Sequence, residues 1–337
     1  MVAIWGGVLA GIAALWFLIK RASQAEQDDS RRQFLIALGG VAAFAALAAT
    51  TGRVLVGRMR EVMAGREDVI LPRAFSAQPA VAAGDALAVE GISELVTPND
   101  DFYRIDTAIS VPRVDLDTWV LQITGLVDRP IELTFEVLLD LPMVDRFVTL
   151  SCVSNRVGGT LVGHARWLGV PLRDVLDRVG VQEGATQIVG RSVDGFTVGF
   201  PTDAVFDGRE ALIAVAMNGE PLPFDHGFPA RLVVAGLFGY VSATKWLSEI
   251  DLTTLDEFDA YWVPRGWSKE APIKTQSRID VPRQGERLSA GTVPIAGVAW
   301  APDLGIEKVE VQVDGGAWME TELSAELSKD SWRQWAI

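Results

Sequence analysis

The sequence predicts an α+β fold, and three observations carry that prediction. Strand signals dominate from Trp119 onward, the helical segments between them are brief, and no regular βαβ alternation links them. No G-x-G-x-x-G follows a strand signal, so a dinucleotide-binding sheet has no support. In order, WVLQITG at 119–125 alternates and stops at glycine, and RFVTL at 146–150 is short and β-rich. A helix over 134–141 opens on Thr134 as N-cap and ends before Pro142. Pro171 is placed at N1 of a helix over 172–179 that Gly180 closes. After Pro282 the pattern turns to short antiparallel strands at 293–300 and 306–313, then the turn Asp314-Gly315-Gly316 and Trp318. Their spacing suits a β-sandwich, but the strands are too few to close one. The expectation is a fragment, or a domain completed by a partner.

The N-terminus reads as membrane. Residues 2–19 form an uncharged apolar run ending at Lys20 and Arg21, and a second run spans 34–52. At about 1.5 Å per residue, 18 residues nearly cross a hydrocarbon core of about 30 Å. Lys20, Arg21, Arg31 and Arg32 lie between the runs and place that loop on the cytoplasmic side. The expectation is therefore two transmembrane helices over 1–52, with the rest of the chain at the cell membrane on the extracytoplasmic face. SRRQFL at 30–35 also resembles a twin-arginine signal, an export route for folded, cofactor-loaded proteins. Residues 53–92, rich in Arg, Ala, Pro and Gly, read as a juxtamembrane linker touching lipid headgroups.

Composition narrows the function. The formal net charge of -14 argues against nucleic acid as a partner, because phosphate contacts need clustered cations. One cysteine, Cys152, excludes an internal disulfide and any cysteine-cluster metal site. No Cys-x-x-Cys-His occurs, so covalent haem is not expected.

Two segments carry chemistry-bearing residues. Cys152 stands at the end of a strand, before Gly158 and Gly159, where a ligand could reach it; a small buried hydrophobe is the bland alternative. DHGFPAR at 225–231 sets an imidazole and a guanidinium on a tight turn, a pairing suited to a phosphate, although a structural turn reads as well. Lys245, after small residues, adds a cation.

Seven segments in one order resemble the sulfite oxidase superfamily, which binds molybdenum through a pterin dithiolene and one cysteine. They are FYR at 102–104, LSCVSN at 150–155, ARWLGVPL at 165–172, MNGEPLP at 217–223, DHGFPAR at 225–231, KW at 245–246 and PIKTQSR at 272–278. The resemblance runs from about residue 100 to the end. It implies a mixed molybdopterin-binding catalytic domain over 93–280, then a truncated immunoglobulin-like β-sandwich for dimerisation over 281–337. It also implies that Cys152 is the metal ligand and that Tyr103, Arg104, Ile105, Asp106 and Thr107 form a loop beside the pterin. Asn155 and Asp194 match cofactor contacts, His226 and Arg231 match the pair on the cofactor phosphate, and Ala243, Thr244 and Lys245 match further pterin contacts. Arg104 and Arg333 match active-site arginines.

Departures affect the substrate more than the cofactor. Where sulfite-oxidising members carry a tyrosine near the metal this chain has Phe196, Arg156 is followed by Val157 in place of a second arginine, and Asp106 stands near a family histidine. The resemblance implies two-electron oxo-transfer on a small substrate, with electrons exchanged with an external cytochrome or a quinone-linked membrane protein, and a homodimer through the C-terminal domain. The alternatives are a cofactor-free membrane-anchored binding or scaffold protein, and a sulfoxide or N-oxide reductase in place of a sulfite-type oxidase.

Overall fold

The structure, a computed structural model, describes Trp16 and residues 29–337. Its contacts divide the chain into two units, Met1–Ala64 and Gly65–Ile337. The first expected span, 2–19, lies almost wholly outside the described residues. The second expected span falls within one continuous helix, α1 (Asp29–Glu67). Among the described residues no helix is long and apolar enough to cross a membrane. Ile36, Phe44 and Leu47 of α1 are 62–66% exposed. The linker expected from residue 53 begins as helix instead, because 53–67 holds good helix formers and no proline.

Two mixed sheets build the larger unit. In chain order the elements are β1 (Ser76–Ala77), β2 (Val120–Gly125), β3 (Ile131–Thr134), α2 (Phe135–Leu139), β4 (Val144–Ser151), β5 (Val162–Pro171) and α3 (Leu172–Val179). There follow β6 (Gln187–Ser192), β7 (Thr197–Pro201), α4 (Asp203–Phe206), β8 (Ala211–Met217), β9 (Glu220–Pro221), β10 (Arg231–Val234), α5 (Gly239–Ser242) and β11 (Leu247–Thr253). One sheet runs β1-β4-β5-β8-β10 with β9 on β8, and the other runs β3-β2-β11-β6-β7. β11 lies parallel to β2 and antiparallel to β6.

Burial follows the sequence pattern. β2 turns Leu121 and Ile123 inward and Gln122 outward, while every residue of β8 is buried, as in a strand covered on both faces. One core lies between the sheets, with Leu121, Ile188, Ile213 and Leu232 in it; a second, with Val148, Trp167 and Val233, covers the far face of the first sheet. α3 buries Leu172, Val175, Leu176 and Val179, the i, i+3, i+4, i+7 stripe of an amphipathic helix. Thr134 caps α2 by accepting from the Val137 amide. Pro171 ends β5 and stands at N-cap, one place before its expected N1 position.

The C-terminal strands are β12 (Gln276–Val281), β13 (Ala296–Trp300), β14 (Glu310–Gln312), β15 (Trp318–Glu320), β16 (Glu322–Leu323) and β17 (Arg333–Ala336). They make a sheet ordered β12-β13-β17-β16 and a separate β14-β15 pair. One face packs Val298, Trp300 and Trp332 on Leu95, Val162 and Ile273, and the other packs Ala299 and Trp335 on Ile306 and Val311. The segment at 328–332 also bonds to β4: the Thr149 amide donates to the Asp330 carbonyl, and the Trp332 amide to the Thr149 hydroxyl. This sheet therefore shares its core with the rest of Gly65–Ile337.

Candidate active site

Cys152 follows the last residue of β4, and its side chain opens on a cavity of about 130 Å³. The loop after it is closed from inside. Asn155 Oδ1 accepts from the Leu161 amide at 2.9 Å, and the Cys152 amide donates to the Leu161 carbonyl at 2.9 Å. Gly159 is required there, since a Cβ would stand 2.6 Å from Asn155 Oδ1 and 2.8 Å from the Arg156 carbonyl. Arg278 of β12 donates to the Gly159 carbonyl at 2.7 Å and ties the loop to the C-terminal sheet.

The basic side of the cavity is built by the 225–231 turn and the segment before β11. Gly227 has φ +108, and a Cβ there would meet Lys245 Cα at 2.9 Å, so only glycine lets the two segments touch. The Thr244 hydroxyl points into the core and donates to the Gly190 carbonyl, which leaves Ala243 and Lys245 on the cavity wall. Lys245 Nζ donates to Asp106 Oδ2 at 2.6 Å and to the Asp225 carbonyl at 3.0 Å. Burial lowers the Lys245 pKa to about 8 against the pull of Asp106. Burial alone would push the Asp106 carboxyl up, but hydrogen bonds from Arg104 and Lys245 outweigh it and hold the group below its usual range.

His226 and Arg231 complete this side. Burial first, and then the Arg231 charge, lower the His226 pKa to about 4, so the ring is neutral. Its Nε2 lies 2.9 Å from the Asn99 carbonyl, which can only accept, so the proton sits on Nε2. Arg231 is 5% exposed, donates to the His226 carbonyl at 3.1 Å and stacks 5.0 Å from the Trp167 ring centroid. No salt bridge reaches it among the described residues, and burial lowers its pKa to about 10. A buried guanidinium with no counter-charge is costly, and a bound anion removes the cost.

Most predicted residues converge on this cavity: Cys152, Tyr103, Ile105, Asp106, Thr107, Asp194, His226, Arg231, Ala243 and Lys245 line it. Four do not. Arg104 turns to a neighbouring cavity, where it pairs with Asp106 at 2.8 Å and Asp225 at 3.6 Å. Asn155 and Thr244 act on backbone, as above. Arg333 lies in β17, where it donates to the Ser324 and Ile306 carbonyls, and this corrects its assignment to the substrate pocket. The sequence reading missed the rings Tyr240, Trp262 and Trp267 on the wall; they sit in irregular segments where no periodicity marks a function.

A metal at Cys152 would need ligands from elsewhere, since no group of three or more His, Cys, Asp or Glu among the described residues could hold one. The residues present fit a chelate that brings its own sulfur donors and an anionic end: a thiol at one place on the wall, an uncompensated guanidinium at another.

Comparison with known proteins agrees. Residues 108–262 match the family described as Oxidoreductase molybdopterin binding domain. The chain is 30% identical to mitochondrial sulfite oxidase of Homo sapiens over 289 residues, covering 72% of this chain and 52% of that one. It thus spans about half the length of that relative. It is also 30% identical to sulfite oxidase of Arabidopsis thaliana, covering 71% of this chain and 72% of the relative. The fold resembles the sulfane dehydrogenase SoxCD from Paracoccus pantotrophus, with a TM-score of 0.63 at 23% identity over 74% of this chain and 69% of that one. These matches imply a molybdenum–molybdopterin cofactor. The chain belongs to the sulfite oxidase family of molybdopterin-binding oxidoreductases.

Proposed function

We propose that the chain catalyses two-electron oxo-transfer on a small substrate and exchanges electrons with an external cytochrome or a quinone-linked membrane protein. The observation that carries this reading is that Cys152 and the uncompensated Arg231 open on one cavity. When bound, the molybdenum–molybdopterin group supplies the oxo-transfer chemistry. Cys152 would hold the metal as thiolate, the softest donor in the chain. Arg231 and Lys245 would take the phosphate, with the neutral His226 beside them. Tyr103 keeps its proton, because burial and the nearby Cys152 push its pKa up, so its hydroxyl can donate a hydrogen bond but not act as a base.

Membrane attachment belongs to the same reading. It rests on the uncharged run at 2–19, the cations between the two apolar runs, and the exposed apolar side chains of α1. The catalytic unit would then face the extracytoplasmic side after twin-arginine export. The sheet from β12 to β17 with the β14-β15 pair is read as part of an immunoglobulin-like dimerisation domain. The test is turnover of the molybdenum-loaded protein with artificial electron carriers, in the oxidising direction on sulfite and in the reducing direction on nitrate, sulfoxides and N-oxides. Turnover of at least one is expected. A fully loaded protein inert toward all of them refutes the reading.

A further inference from the structure

The cavity at Cys152 is small for the ligand assigned to it. Its volume of about 130 Å³ falls short of the ~300–1,000 Å³ usual for ligand pockets. The neighbouring cavity measures about 410 Å³. The two share Phe102 and His226, and one stretch of chain parts them: Arg104 lines the neighbour, whereas Ile105, Asp106 and Thr107 line the first. A cofactor of this class can enter only if part of the wall gives way.

The other walls are braced. The loop after Cys152 is held by Asn155 and Arg278, and Gly227 locks the 225–231 turn against Lys245. The rings of Tyr240, Trp267 and Trp262 wedge against one another at 5.0 and 5.2 Å, and the Tyr240 hydroxyl donates to the Ser268 carbonyl at 2.9 Å. Residues 104–113 are different. This strap has no helix or strand, its backbone makes no hydrogen bond among the described residues, and its Ile105 and Ile109 are exposed. Its ends are fixed: Phe102 packs edge-on against Trp167 at 5.8 Å, and Val114 packs on the core between the sheets.

Between those ends one side chain does most of the pinning. Asp106 Oδ2 accepts from Lys245 Nζ at 2.6 Å and from Arg104 Nε at 2.8 Å, and the Asp106 and Lys245 side chains are 9% and 8% exposed. At the outer edge Arg104 reaches Asp225 at 3.6 Å, and Arg113 lies 4.2 Å over the Phe224 ring. The pin therefore closes on a cation that the cofactor phosphate needs. In the cofactor-free protein the Asp106 carboxylate holds the strap down on Lys245, and an arriving phosphate competes for the same ammonium.

We propose that residues 104–113 form a hinged gate of the cofactor cavity, latched by Asp106 on Lys245, whose opening joins the two cavities to admit a phosphate-bearing pterin. The inference rests on the assignment of the cofactor to this cavity and adds its route of entry.

The experiment uses the full-length protein, cofactor-free and loaded, beside Asp106→Asn and the charge-keeping Asp106→Glu. Trypsin cleavage after Arg104 and Arg113 reads the opening of the strap, with cleavage after Arg156 as the reference. Uptake and release of molybdenum–molybdopterin freed from a donor molybdoenzyme are followed as protein-bound pterin fluorescence. In Asp106→Asn, strap cleavage, uptake and release should all rise about tenfold, because proteolysis and passage both follow the open population, with affinity changed less and Asp106→Glu close to the wild type. Loading should slow strap cleavage in the wild type. A gate speeds passage in both directions, whereas a plain cofactor contact changes release alone. Release that rises without uptake, or strap cleavage unmoved by Asp106→Asn, overturns the proposal. So does strap cleavage as fast in the loaded wild type as in the cofactor-free one, a result that decides the matter even where the Asn variant fails to fold. A wild type that takes up no pterin sinks the functional reading. Trypsin on the cofactor-free proteins then decides the strap: faster cutting confined to it in Asp106→Asn supports a hinged gate, and equal cutting overturns it.

Discussion

Arg231 is a charge waiting for a counter-charge, and that sets opposite signs for two measurements on one variant. Replacing an unpaired buried guanidinium by an apolar side chain of similar length removes a desolvation cost, so Arg231→Met should stabilise the cofactor-free protein by about 1–4 kcal/mol. The same variant should retain far less cofactor than the wild type. Thermal unfolding of the cofactor-free forms and molybdenum analysis of the loaded forms check the two signs; a destabilised cofactor-free variant would contradict the first. A pH effect belongs to this scale too. His164 is fully buried between Phe147 and Trp332, and burial lowers its pKa from 6.5 to about 4. The unfolded chain then binds the extra proton first, so stability falls as pH drops from about 6.5 toward 4, by roughly 3 kcal/mol from this group. Asp330, raised to about 6 by burial, works the other way over part of that window, so a difference between proteins is needed. Unfolding midpoints should fall less between pH 7 and pH 4.5 in His164→Gln than in the wild type. Cys152 and His226 stood out in the sequence because it holds one cysteine and two histidines, whereas Arg231 and Lys245, among 30 Lys and Arg, were marked by the resemblance of their segments. The role of Arg333 was not legible, because a guanidinium that serves backbone carbonyls looks the same in sequence as one that serves a substrate.

At the scale of elements, the loop at 152–161 decides where the sulfur sits. Its hydrogen bonds come from Asn155 and, across the fold, from Arg278. Gly159→Ala must push against the Arg156 carbonyl as well as against Asn155. The expected cost is about 1–3 kcal/mol of stability with a clear drop in molybdenum content. Gly158, with φ +72 but nothing near its Cβ position, is the control: alanine there strains only the backbone and should disturb metal content less. Denaturant unfolding and metal analysis of the pair test this, and equal metal loss in both would show that contact at Gly159 is not what positions the cysteine. Strands and short helices were readable from alternation, caps and prolines, and α2 and α3 fall close to their expected places. The reach of α1 beyond residue 53 was not readable, since its arginines mark a solvated helix face and a linker equally well. Nor was the ring wall, because Trp262 and Trp267 flank a short turn where no period exists to be read.

Across the whole molecule, the C-terminal sheet is fastened to the catalytic sheet by more than apolar contact. The Trp332 indole donates to the Leu95 carbonyl at 2.7 Å, and Arg278 joins Ser93 Oγ and the Gly159 carbonyl, each at 2.7 Å. Gly65–Ile337 should therefore unfold in one cooperative transition, seen as equal calorimetric and van't Hoff enthalpies. Ending the chain after Val281 should abolish that transition; a truncated protein that still unfolds cooperatively and holds molybdenum would show two independent domains. The sequence marked the change of pattern near residue 281 but not this fastening, because its hydrogen bonds join residues far apart in sequence. Metal binding turns on the one thiol in the sequence, Cys152. Its most direct test is molybdenum per mole of full-length chain beside Cys152→Ser, both made in one cofactor-competent host. Roughly one molybdenum per chain is expected in the first and almost none in the second, because metal retention depends on its protein ligand. Equal loading of the two proteins would contradict the account.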